Sequence, residues 1–103
     1  MTTPTITERA EQHYAERLDA RSVPEHLHEG LIRYFVSGMR PGGFLLAVLE
    51  NDLAVAVRVA DDLSLSGLRR LCEFLYFDVP GHSCGSPEKV DAWSETFRTG
   101  GAA

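Results

Sequence analysis

The segment Gly81-His82-Ser83-Cys84-Gly85-Ser86 holds the residues best suited to chemistry, a thiol two positions from an imidazole and just ahead of the helix-start signature Ser86-Pro87-Glu88. A helix N-terminus and a neighbouring imidazole both lower a cysteine pKa, so Cys84 is a candidate activated thiol. A separation of two in a turn-rich loop does not, however, fix a hydrogen bond between nucleophile and base, and no carboxylate is placed to orient His82. Ordinary turn chemistry is the better account of these residues. The same loop and the segment Arg40-Pro41-Gly42-Gly43 also offer exposed backbone N–H groups at helix starts, which suit a phosphate or carboxylate. Arginines nearby would add charge-assisted bonds. The candidate ligand-binding set is therefore Arg40, Gly42, Gly43, Arg69, Arg70, His82, Ser83 and Ser86. Neither loop follows a strand or matches a Walker or dinucleotide fingerprint, so the simplest role of its glycines is to let the chain turn. His26, His28, His82, Cys72 and Cys84 lack the paired spacing of zinc ligands, and on a helix His26 and His28 would point about 200° apart. No catalytic residue, metal ligand or cofactor is assigned.

These residues hang on a series of amphipathic segments. From Thr5 to Arg21, Ile6, Ala10, Tyr14 and Leu18 recur every four residues behind a threonine cap. The stripe is thin and the rest of the segment polar, so this helix must dock, either on its own domain or on a neighbouring subunit. Tyr14 and Leu18, with too little company for an internal core, are candidate intersubunit contacts. Pro24-Glu25 restarts the chain into a helix reaching about Ser37, with Leu27, Leu31, Tyr34 and Phe35 on one side and Gly38 as its stop. Pro41-Gly42-Gly43 then opens Phe44 to Leu49, a short run with almost no polar face, expected at the centre of the fold.

Asn51-Asp52 interrupts that run, and Asp52 can cap Leu53 to Ala60. Val55, Val57 and Val59 alternate as in a strand. Helical flanks, the lack of a partner strand and the spacing of Leu53, Val57 and Ala60 favour a helix. A helix capped by Ser64 or Ser66 is expected through Phe77, with Leu68, Leu71, Cys72, Leu75 and Tyr76 inward and Arg69, Arg70 and Glu73 outward. After the loop of residues 78–85, a final helix is anchored by Val90, Trp93 and Phe97. Trp93, Phe97, Tyr76 and Phe77 are also candidates for stacking a base or forming a partner-binding patch, although helical spacing favours core packing for Trp93. The expected fold is an all-α single-domain bundle of about five helices, with residues 1–22 as an N-terminal helix mobile or used for oligomerisation, 23–98 as the helical domain and 99–103 as a flexible tail.

A chain of 103 residues with 44% hydrophobic content suffices for one core, while its small size favours association with copies of itself. Ten basic against 15 acidic residues give a net charge of −5, which disfavours duplex nucleic acid. Two cysteines are too few for a disulfide framework. Met1 to Thr5 begins no signal peptide, and no apolar run approaches the roughly 20 residues of a membrane span. A soluble cytoplasmic protein is expected, not engaged with membranes.

Pro24-Glu25-His26, Pro41-Gly42-Gly43-Phe44-Leu45, residues 47–53, Phe74-Leu75-Tyr76 and residues 85–93 together resemble a group of small phage and prophage proteins of uncharacterised function. The resemblance spans about residues 23–93, and Arg40 stands where relatives often carry a second proline. It implies a setting in a host bacterial cell and no catalytic residues. The functional expectation is a non-enzymatic accessory protein, a homo-oligomer that blocks or regulates a host protein, such as a defence protein. The alternatives are a homo-oligomer that sequesters a small anionic nucleotide-derived signal, with Arg40 and the Gly81 to Ser86 loop meeting across subunits, and a thiol- or metal-dependent enzyme.

Overall fold

The computed structural model describes residues 3–98; the expected tail at 99–103 lies outside them. The described residues form seven α-helices, one 3₁₀ turn and no strand. The chain is thus all-α, with seven helices where about five were expected; the short Asp62–Ser66 helix is one of the additions, set apart from Leu68–Phe77 by Gly67.

Helix α1, Ile6–Ala20, starts with a reciprocal cap: Glu8 N–H donates to Thr5 Oγ1 at 3.0 Å, and Thr5 N–H donates to Glu8 Oε1 at 3.1 Å. The 3₁₀ turn Glu25–Leu27 leads into α2, His28–Ser37. At its end Gly38 adopts φ 70°, and its N–H bonds Tyr34 O at 2.9 Å. Helix α3, Gly43–Leu49, buries Phe44, Leu45, Ala47 and Leu49. Asn51, at φ 63°, turns the chain so that Asp52 can cap α4, Leu53–Val59, by accepting from Val55 N–H at 3.2 Å. The Val55 to Val59 stretch is therefore helical despite its alternation, since a strand would have needed a partner for its ladder.

Asp61, not Ser64 or Ser66, caps α5, Asp62–Ser66, accepting from Ser64 N–H at 2.7 Å. Gly67 then breaks the path into α6, Leu68–Phe77. Helix α7, Pro87–Arg98, closes the fold; Ser86 Oγ caps it by accepting from Lys89 N–H at 3.1 Å.

The element with neighbours on most sides is α2, rather than α3. Helices α1 and α7 pack on it, and Gly30 on α2 faces Leu45 of α3. Two aromatic chains run from it: Phe35 meets Tyr14 at 5.5 Å and Phe74 at 6.0 Å, and Tyr34 meets Trp93 at 6.5 Å between ring centres. Trp93 Nε1–H donates to Tyr34 O at 2.9 Å. Burial, the main cause, pushes the Tyr34 phenol far above its ordinary pKa, and its O–H donates to Ser83 O.

This packing corrects the expectation for α1. Leu18 is fully buried in the chain's own core and is no surface for a second subunit, and Tyr14 lies half-buried against Phe35 and Phe74. Tyr14 found its company in α2 and α6, while Ile6 at the start of the stripe stays 86% exposed. Polar contacts complete the docking, because Arg17 Nε and Arg21 Nε donate to the two oxygens of Asp78 at 3.0 and 2.8 Å.

Asp78 has only 8% of its side chain exposed. Burial by itself would raise its pKa, but hydrogen bonds from Arg21 and Arg17 outweigh that and hold the carboxyl below its ordinary value. A depressed folded-state pKa stabilises the fold above the ordinary value of 3.8, and the contribution vanishes as pH falls toward the lower folded value. Asp78→Asn should therefore cost about 1 to 2 kcal/mol at neutral pH, less than a fully buried pair because both arginines are partly exposed. Urea midpoints measured from neutrality to pH 3 check this. The gap between wild type and variant should narrow on acidification.

Candidate protein-binding surface

The predicted ligand residues do not converge within one chain. Arg40 pairs with Asp91 and lines a polar cleft with Ser37, Ser94 and Arg98, whose own guanidinium pairs with Glu95. The cleft sits at the C-terminal end of α2 and the last turns of α7, where helix dipoles present negative ends that disfavour an anion. Gly42 and Gly43 face open space. Arg69 and Arg70 are exposed on α6 and make no ion pair among the described residues. Ser83 must be withdrawn from a ligand role, since it is fully buried and its hydroxyl donates to Pro80 O. Ser86 is committed to capping α7.

The thiol and imidazole of the loop also part company. His82 packs edge-on against Trp93, 5.5 Å between ring centres, and lines a cleft with Lys89 and Thr96. Cys84 lines a different cleft, and burial pushes its thiol up despite opposing effects of Ser83 and Lys89. That is the reverse of activation. Trp93 and Phe97 are half-buried between α7 and α2, with Phe97 packed on Gly38, so they are mainly interior anchors.

One pairing escaped the sequence reading. Ser64 Oγ lies 2.9 Å from His26 Nε2. Asp61 accepts from both the backbone and the hydroxyl of Ser64, which hold its carboxyl below the ordinary range. The carboxylate thus contacts Ser64 rather than His26, so it does not orient the imidazole as a base. The trio pins the 3₁₀ turn to α5; it does not assemble an activated nucleophile. Among the described residues no three His, Cys, Asp or Glu side chains are grouped to hold a metal ion, and no helix is long and apolar enough to cross a membrane.

A different surface takes shape at the end of α6. Leu71 and Phe74 are fully buried and Asp78 faces the arginines, so the helix is rotated from the expected register. Cys72 and Tyr76, expected inward, are exposed. The 71, 74, 78 spacing wins because Phe74 fills the aromatic core and Asp78 finds two cations. The rotation leaves Tyr76 79% and Phe77 62% exposed, their rings edge-on at 4.8 Å. Arg21 lies 4.8 Å over the Phe77 ring while held by Asp78, which fixes its guanidinium. Beside Tyr76 opens a cleft of about 440 Å³ lined by Val48, Cys72, Leu75, Tyr76 and Cys84. Its far wall is fastened by Gly85 N–H to Leu49 O at 2.7 Å. Burial raises the Cys72 thiol as well, so neither cysteine in the cleft is primed as a thiolate. Tyr76 and Phe77 are already candidates for a partner-binding patch in the sequence; what the structure corrects is the inward setting of Tyr76, displaced because Phe74 takes the core position.

Comparison with protein-family models, curated proteins and solved structures finds no match to this chain.

Proposed function

We propose that this chain is a non-enzymatic accessory protein of the phage type that acts by binding a host protein, with Tyr76 and Phe77 as the anchor of the contact. What supports the reading is the pair of exposed aromatics beside an apolar cleft, stiffened by Arg21 and Asp78. Tyrosine and arginine dominate the energetics of protein interfaces, and a rigid aromatic loses little entropy when it docks. The cytoplasm of a host cell is the setting that the motif resemblance implies. An enzyme reading gains no support from the raised thiols or from the contacts among His26, Ser64 and Asp61, in which the carboxylate meets the serine rather than the imidazole.

The test is capture from host lysate, native mass spectrometry of the complex, and calorimetry with the purified target. Tyr76→Ala should weaken that affinity about 30-fold, a loss of about 2 kcal/mol, with an unchanged circular dichroism spectrum. Affinity indifferent to Tyr76 and Phe77 rejects the surface. Titration with cyclic nucleotides and ADP-ribose derivatives addresses the sequestering alternative. Heat from one of them, abolished by Arg40→Ala, favours that reading instead.

A further inference from the structure

The solvent side of α6 carries more than its two aromatics. Arg69 stands seven residues before Tyr76 and Arg70 seven before Phe77. Seven residues bring an α-helix back to within about 20° of its starting direction, so each arginine shares a face with one exposed ring, about 10 Å from it along the axis. Both arginines are exposed and make no ion pair among the described residues. They sit in the first turn of α6, the positive end of its dipole, where a cation gives the helix nothing. Fold stability leaves their charge unexplained. The cleft beside Tyr76 is of the opposite character, since its walls come from residues such as Val48, Cys72, Leu75 and Cys84 and no charged side chain lines it.

From this placement we infer that the solvent face of α6 receives an acidic segment of a partner protein, with its carboxylates on Arg69 and Arg70 and an aliphatic side chain in the cleft beside Tyr76. The site is the Tyr76 surface proposed above, on which this inference rests. Charge complementarity selects the occupant. Along α6 the two arginines stand against one acid, Glu73, whose field also reaches Arg21 on the Phe77 flank. Past Cys72, Asp52 lines a separate small cleft and is spent on capping α4. Asp61 and Asp62 lie at the far end of α5, and neither pairs with Arg69 or Arg70. The −5 charge of the whole chain repels an acid at long range, but salt screens charges beyond about 8 Å, so the local excess decides. An uncharged cleft rewards an apolar side chain and penalises an acid, which keeps the carboxylates of the segment on the arginines. A nucleic-acid strand fits worse, because Arg21 already covers the Phe77 ring at 4.8 Å and the two rings meet edge-on, leaving little platform for stacked bases.

Selection from a random peptide display library on the immobilised full chain, followed by fluorescence titration of the enriched peptides, tests the assignment. Peptides enriched on wild type should combine Asp or Glu with an aliphatic residue, and should bind the Arg69→Glu, Arg70→Glu variant about tenfold more weakly. Acids suit the first turn of a helix, so the urea midpoint of that variant should be no lower than that of wild type. Added salt should weaken binding to wild type and leave binding to the variant almost unchanged. A peptide that loses affinity with Tyr76→Ala but not with the charge reversal overturns the inference and leaves the Tyr76 surface standing. A peptide indifferent to Tyr76 rejects the surface itself. Failure to enrich any peptide, or enrichment of neutral or basic ones, overturns the inference. Binding of single-stranded oligothymidine or oligouridine that the charge reversal abolishes also overturns it, by giving the face to nucleic acid.

Discussion

Phe74→Ala should destabilise the fold by about 3 to 5 kcal/mol, much of the total stability of a domain this size. The ring is fully buried and meets Phe35 at 6.0 Å and Tyr14 at 6.4 Å, so its removal opens a cavity where α1, α2 and α6 converge. Neighbours anchored on three helices cannot collapse into that space without moving a helix. Two residues along, Tyr76→Ala should change stability by no more than about 0.5 kcal/mol, because its side chain stands in solvent. Urea unfolding of both variants reads the rotation of α6 directly. Equal losses would restore the register in which Cys72 and Tyr76 point inward.

Gly67→Ala should cost about 2 to 3 kcal/mol through a clash alone. A Cβ at that position would sit 2.2 Å from Pro24 Cγ and 2.5 Å from Cδ, and the pyrrolidine ring cannot rotate away. Backbone strain plays no part, since Gly67 has an ordinary φ of −96°. The closeness joins the start of the 3₁₀ turn to the junction of α5 and α6, beside the contact between His26 and Ser64. In a Pro24→Ala background, where Cγ and Cδ are gone, the cost of Gly67→Ala should fall below about 1 kcal/mol. A thermal-unfolding double-mutant cycle with no coupling between the two positions would contradict the geometry.

Much of the fold was legible in residue order. Thr5 with Glu8, Asp52 before Leu53, Ser86-Pro87-Glu88 and the stop at Gly38 mark helix ends through local hydrogen bonds and backbone preference, and such signals act within a few residues. Helical spacing in residues 53–60 prevailed over valine alternation for a different reason, the absence among the described residues of any strand to share a ladder. The candidate ligand set fared differently. Arg40 and His82 line separate clefts, Ser83 is interior and Ser86 is spent on a cap. Those assignments rested on residue type near a glycine, which says nothing of where a side chain finds its partner.

By itself, then, the order of residues determined that this protein is helical, where most of its helices begin and end, and that it carries a net negative charge. Tertiary structure alone decided which face of α6 is hidden, whereas the buried side of α2 could be read from its own spacing. A helical stripe is compatible with rotations of a residue or so, and the choice falls to distant partners: Arg17 and Arg21 drawing Asp78 inward, Phe35 receiving Phe74, Pro24 pressing on Gly67. Tyr76 and Phe77 came to the surface through that choice. Leu53 and Leu63 stayed there because no element among the described residues covers them.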